Sequence, residues 1–173
     1  MLMAKNYERE NVTIQQAMMA ECKRLGKPLR EISIRWQDHE VKTFDWISVS
    51  KKGKLTVRLL HYGIEVRQAV DIRAKEGGIF ISDSDRVEVL RTWADPDYED
   101  VMIYPFECSG ELCISTACET LLPNGKIEIE RFTGNSGFWV EEQGKIRTYH
   151  ASPANVARPN FESFVFSIEI EGD

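Results

Sequence analysis

From Thr13 to Leu25 the apolar residues Ile14, Ala17, Met18, Cys22 and Leu25 recur every three or four positions, the period of one buried helix face. Thr13 and Gln16 have the spacing of a capping box, and Gly26 followed by Pro28 supplies a stop. The pattern predicts one amphipathic helix over 13–25. Residues 1–10 before it are largely polar and are expected to fray.

After Pro28 the period changes to two. Ile32, Ile34 and Trp36 alternate with Ser33, Arg35 and Gln37, as in a half-buried strand. Val41 to Val49 reads as one strand whose apolar face switches near Trp46-Ile47, which a β-bulge would explain. Leu55, Val57 and Leu59 alternate again. Ile64, Val66, Val70 and Ile72 keep even spacing, with Gln68 alone out of place, and favour a strand over a helix. Val101 to Phe106 is a continuous apolar run whose Pro105 marks an edge or a bulge.

Between Ala117 and His150 the chain reads as two consecutive hairpins. Leu121-Leu122 runs into Pro123-Asn124-Gly125 and returns through Ile127 and Ile129. Asn-Gly in that place predicts a primed turn, because both residues tolerate positive φ. Phe138, Trp139 and Val140 then turn at Gln143-Gly144 into Ile146, Thr148 and His150. A last alternation, Phe164, Phe166, Ile168 and Ile170, predicts an end pinned into a sheet.

Roughly ten to twelve short strands with turn signals between them, and one helix, predict a mainly β (α+β) fold. The expected architecture is an antiparallel sandwich or barrel carrying an N-terminal amphipathic helix. Its 173 residues fit a single domain, with the helix over 13–25 and a β-rich body over 31–171. No apolar run has the length of a membrane span, and the first residues contain no secretory h-region, so a cytoplasmic protein is expected. Cys22, Cys108, Cys113 and Cys118 then read as reduced thiols.

Charge sharpens the picture more than composition does. The formal net charge is -6, but residues 1–75 hold 15 Lys/Arg against 9 Asp/Glu, and residues 76–173 hold 7 against 19. Folding can mix these signs, or it can leave an acidic face. Asp95, Asp97, Glu99 and Asp100 form an acidic loop without the glycine and glutamate positions of a calcium-binding EF-hand. Glu128, Glu130 and Glu141 lie on the hairpins. Clustered carboxylates can imitate phosphate spacing and occupy a basic groove on another protein. Trp139, out of step between Phe138 and Val140, is a candidate interface anchor beside them. The basic stretches around Lys23-Arg24 and Lys51-Lys52 lack interleaved aromatics, and the acidic balance argues against a nucleic-acid binder.

Motifs of named chemistry are absent. The cysteines are spaced by five and form no C-x-x-C, and no P-loop, G-x-G-x-x-G or G-x-S-x-G occurs. No metal and no cofactor are predicted. Among the histidines His39, His61 and His150, His150 at a strand end is the first general-base candidate and His61 the second.

Three functions are therefore expected, in order. The first is a non-enzymatic, inhibitor-type module, of the kind to which short acidic immunity and anti-defence proteins belong. It would dock on a partner protein through Asp95, Asp97, Glu99, Asp100, Glu128, Glu130, Trp139 and Glu141. The second is a carbohydrate- or small-ligand-binding sandwich with Trp139 or Trp93 as platform. The third is a hydrolase built on His150 or His61.

Overall fold

Thr13 and Gln16 make the expected capping box. The Thr13 hydroxyl accepts from the Gln16 amide at 3.1 Å, and the Gln16 side chain accepts from the Thr13 amide at 2.9 Å. They start helix α1 (Ile14–Leu25), and Gly26 closes it at φ 63°. The structure is a computed structural model and describes residues 5–173. Replacing Thr13 by Ala is expected to cost about 1 kcal/mol in urea unfolding, the usual worth of such a cap. A loss below about 0.3 kcal/mol would count against the cap.

Among the described residues α1 is followed by fourteen strands. In chain order they are β1 (Ser33–Trp36), β2 (His39–Lys42), β3 (Asp45–Ser48), β4 (Lys52–Tyr62), β5 (Gln68–Ala74), β6 (Gly78–Phe80) and β7 (Arg86–Val87). They continue with β8 (Val89–Trp93), β9 (Val101–Glu107), β10 (Glu111–Leu121), β11 (Ile127–Glu130), β12 (Gly137–Gln143), β13 (Ile146–Ser152) and β14 (Phe164–Gly172). They form two antiparallel sheets. The nine-stranded sheet runs β1-β2-β12-β13-β14-β4-β9-β6-β7. The five-stranded sheet runs β11-β10-β5-β8, with β3 also on β10. On the β10 edge away from β5, β3 pairs with Glu111–Ile114 and β11 with Cys118–Leu121.

Alternation explains the core. Leu55 and Val57 of β4, Phe166 and Ile168 of β14, Val70 and Ile72 of β5, and Leu112 and Ile114 of β10 meet between the sheets. A second core lies on the outer face of the nine-stranded sheet at its β1–β2 end. There Ile14, Ala17 and Met18 of α1 pack on Ile34, Trp36, Val41 and Phe161. A Cβ on Gly137 would sit 3.1 Å from Val41 Cγ1 and 3.2 Å from Ile14 Cγ2, so glycine lets the helix approach β12 closely. The helix start is bolted there. Asn135 Oδ1 accepts from the Ile14 amide at 3.2 Å, and Asn135 Nδ2 donates to the Val156 carbonyl at 2.7 Å.

The structure departs from the sequence pattern in four places. Val41 to Val49 is not one bulged strand. β2 belongs to the nine-stranded sheet and β3 to the five-stranded one, so the apolar face switches because the chain changes sheets. β5 begins only at Gln68, and Ile64 and Val66 lie in the loop before it. Gln68 is buried, and its amide donates to Ser163 Oγ at 2.8 Å. The Pro123-Asn124-Gly125 turn is not primed: Gly125 alone has positive φ, 83°, and its amide donates to the Leu122 carbonyl at 3.0 Å. This is a three-residue hairpin loop closed by a left-handed glycine. Pro105 does mark an edge, as expected: β9 pairs with β4 there, while on its other side β6 reaches only Phe106 and Glu107. Finally, the segment before α1 is held. Arg35 N donates to the Lys5 carbonyl at 3.1 Å, and buried Tyr7 donates through its hydroxyl to Glu21 at 2.7 Å. Residues 1–4 of the segment expected to fray lie outside the described residues.

No helix among the described residues is long and apolar enough to cross a membrane. The C-terminal strand β14 lies inside the nine-stranded sheet, between β13 and β4, as its alternation predicts.

Candidate functional site

Antiparallel pairing sets Trp139 of β12 directly opposite His150 of β13, and β2 brings His39 to the other face of the same indole. The three rings form a parallel stack. His39 and Trp139 have centroids 3.8 Å apart, and Trp139 and His150 3.9 Å, with planes within 4° and 3°. His150 Nε2 lies 3.1 Å from Glu141 Oε2, and Nδ1 lies 3.8 Å from Glu162 Oε1. The fold therefore gathers His150, Trp139 and Glu141 and adds His39 and Glu162. What it builds is an imidazole held between carboxylates. His61 sits two strands further along the sheet, opposite Val165, which itself faces His150. Because imidazoles occupy both faces of Trp139, its indole is not a free stacking platform. One face of Trp93 likewise carries the Arg67 guanidinium at 4.3 Å.

The charge asymmetry between halves mostly cancels across the sheets. Arg58 pairs with Glu169 at 2.8 Å, Arg67 with Glu119 at 2.9 Å, Arg73 with Glu88 at 2.8 Å, and Lys75 with Glu111 at 3.2 Å. Each joins a base from the first half of the chain to an acid from the second. Two buried carboxylates anchor the larger networks. Asp71 accepts from Arg91 Nε and Nη2 at 2.7 and 2.8 Å and forms an ion pair with Arg131, whose Nε lies 2.9 Å away. Asp45 on β3 reaches across to β13, accepting from the Tyr149 hydroxyl at 2.6 Å and from Arg147 at 2.8 Å. Burial first, and the Asp45 charge second, hold the Tyr149 phenol protonated well above its usual range.

The acidic loop is built by its own side chains. Asp95 Oδ1 accepts from the Asp97 amide at 2.9 Å, and Asp100 accepts from the Tyr62 hydroxyl at 3.1 Å. Asp97 and Glu99 are exposed. The eight residues expected to form one docking face do not share one. Trp139 and Glu141 lie on the nine-stranded sheet, Glu128 and Glu130 on β11 of the five-stranded sheet, and Asp95–Asp100 in the connection between β8 and β9. Asp95 alone bridges toward β11. It lies 3.6 Å from Arg67, which holds Glu119, the cross-strand partner of Ile129.

At that end of the five-stranded sheet the structure presents what the hydrophobic pattern does not reveal. Leu121 faces Ile127 and Glu119 faces Ile129 across the hairpin, so both isoleucines share the Leu121 side. Leu121, Ile127 and Ile129 are 72%, 61% and 49% exposed, and Ile64, which lines one cleft with Leu121 and Ile127, is 81% exposed. The cleft has a volume of about 590 Å³, and Ile64, Glu65, Arg67, Glu119, Leu121 and Ile127 are among its lining residues. Glu130 accepts from the Thr120 hydroxyl on the other side of the hairpin. Among the described residues Glu65 and Glu128 enter no ion pair. In sequence Ile127 and Ile129 look like ordinary inward strand positions. The available signal is Ile-Glu-Ile-Glu itself, a strand short enough to lie at an edge.

The cysteines take no part. All four are free thiols, and burial pushes Cys113 up to about 12. Tyr7 also rises to about 12, through burial and then its hydrogen bond to Glu21. Both groups stay protonated in the fold at pH values where the unfolded chain releases protons, from 9.0 for the thiol and 10.0 for the phenol. Their contribution is fully present below those values and is lost as pH rises toward about 12. Urea unfolding is therefore expected to show lower stability at about pH 10.5 than at about pH 8, and equal stability would contradict this.

No group of three or more metal-ligating side chains is assembled among the described residues. No family model matches the chain, and neither a curated protein nor a solved structure gives a significant match.

Proposed function

We propose that the protein is a non-enzymatic, inhibitor-type binding module that docks on another protein through the β10–β11 hairpin and the cleft beside it. The observation that carries this reading is the convergence of Leu121, Ile127 and Ile64, each more than half exposed, on one cleft, with Ile129 beside Ile127 on the same strand face. Contiguous exposed aliphatics rimmed by polar groups mark protein interaction sites. Glu65 and Glu119 line the cleft, and Glu128 and Glu130 lie on the opposite face of the same edge strand, so the complementary surface pairs apolar residues with Lys or Arg. Occupying such a surface blocks whatever else it binds, which is how a module without catalytic groups inhibits. The carboxylates of the second half of the chain add long-range attraction and make association sensitive to salt.

The test is capture from lysate of the host with the tagged wild-type chain and with Leu121→Thr/Ile127→Thr, at low and high salt. A stoichiometric protein partner, held by the wild type, weakened by salt and lost by the double variant, is expected. Equal capture by both chains would overturn the reading.

A further inference from the structure

We propose that β11 receives an extended segment of the partner as an additional strand of the five-stranded sheet, and that this segment alternates apolar residues with Lys or Arg. The proposal rests on the docking reading above and specifies what docks.

The backbone supplies the first argument. The Leu122 amide donates to the Lys126 carbonyl at 2.8 Å, and the register continues through Thr120 opposite Glu128 and Cys118 opposite Glu130. In an antiparallel ladder alternate residues turn their N–H and C=O groups toward the neighbour. Lys126, Glu128 and Glu130 therefore bond to β10, and Ile127 and Ile129 point theirs away from it. Among the described residues no strand pairs with that outer edge. It is a row of unused donors and acceptors of the kind an incoming strand completes.

The side chains supply the second. A strand added beside β11 places alternate residues on its two faces. One face continues Leu121, Ile127 and Ile129, and aliphatic residues extend it. The other continues Glu128 and Glu130, and a cation there meets carboxylates as a cross-strand neighbour. The occupant so defined has period two, apolar then basic. A second copy of this chain fits less well than a basic strand, because the outward groups of Ile127 pair antiparallel with those of Ile129, which sets Glu128 directly opposite the same glutamate of the copy, a like-charge pair.

The experiment uses the full chain labelled with ¹⁵N and carrying labelled Ile and Leu methyl groups. The probes are two short capped peptides, one alternating Lys with Val and one alternating Glu with Val. The Lys–Val peptide is expected to slow amide exchange at Ile127 and Ile129 about tenfold or more, less so at high salt, and the Glu–Val peptide to leave it unchanged. If the Leu121, Ile127 and Ile129 methyl signals shift while both amides exchange as before, side-chain docking stands and strand addition is overturned. If neither changes with either peptide, strand addition is overturned, and the docking reading is judged by the double variant alone. Slow exchange without peptide in a chain that sediments as a dimer would assign the edge to a second copy and also overturn the proposal.

Discussion

Replacing Asp45 by Ala is expected to cost about 3–5 kcal/mol in equilibrium urea unfolding, the range for removing one partner of a buried charge pair. The carboxylate is almost fully buried and ties the sheets together. It sits on β3 of one and accepts from Tyr149 and Arg147 on β13 of the other. Without it the Tyr149 hydroxyl loses its acceptor at 2.6 Å inside the core. As its ion-pair partner Arg147 keeps the exposed Glu142, at 2.8 Å, besides a longer bond to the Tyr149 hydroxyl at 3.3 Å. Since a domain of this size has about 5–15 kcal/mol in total, the loss is a large share of it and should show as a clearly lower urea midpoint. Tyr149→Phe removes the hydroxyl's bond to Asp45 and its longer one from Arg147 but leaves Asp45 paired with Arg147, and should cost only about 1–2 kcal/mol. A loss from Asp45→Ala no larger than that of Tyr149→Phe would show that this tie does not hold the sheets.

Replacing Leu121 and Ile127 together by Thr is expected to weaken partner binding by about 100-fold or more, with stability changed by no more than about 0.5 kcal/mol. Both side chains are mostly exposed in the free protein, so the fold loses little when they shrink. Threonine also keeps strand propensity. In a complex the same side chains would be desolvated, and each then contributes about 1–3 kcal/mol. Binding assays and urea unfolding on one preparation separate the two effects. A double variant that binds normally, or one that unfolds, would remove the hairpin from the account.

The elements most legible in the sequence are those whose chemistry is local. Thr13, Gln16 and Gly26 mark α1 because a cap and its stop need only neighbouring residues. Leu55, Val57 and Leu59 mark β4 because alternation is a property of one strand. The departure at Thr43-Phe44 has the opposite character. Alternation reports two faces but not which sheet receives them, so a sheet change looks like a bulge. For the same reason Ile127 and Ile129 read as core. The pattern separates their face from that of Glu128 and Glu130 without saying which one water covers. The ring stack depended on register: Trp139 and His150 are on paired strands, while His39 comes from a distant hairpin joined to them through Phe138 and Lys42. His150, Trp139 and Glu141 were visible singly as candidates, and only pairing makes them one cluster. The acidic loop was legible as a turn, since Asp95 builds it from within. Its separation from Glu128 and Glu141 was not.

Hydrogen exchange of the complex between this chain and its captured partner, compared with the free chain, tests the central claim most directly. The account predicts slowed exchange over residues 119–130 and in the Ile64–Arg67 loop, with the Trp139 to His150 hairpin unchanged. Slowing confined to residues 139–150 or to the Asp95–Asp100 loop, with 119–130 exchanging as in the free chain, would contradict it.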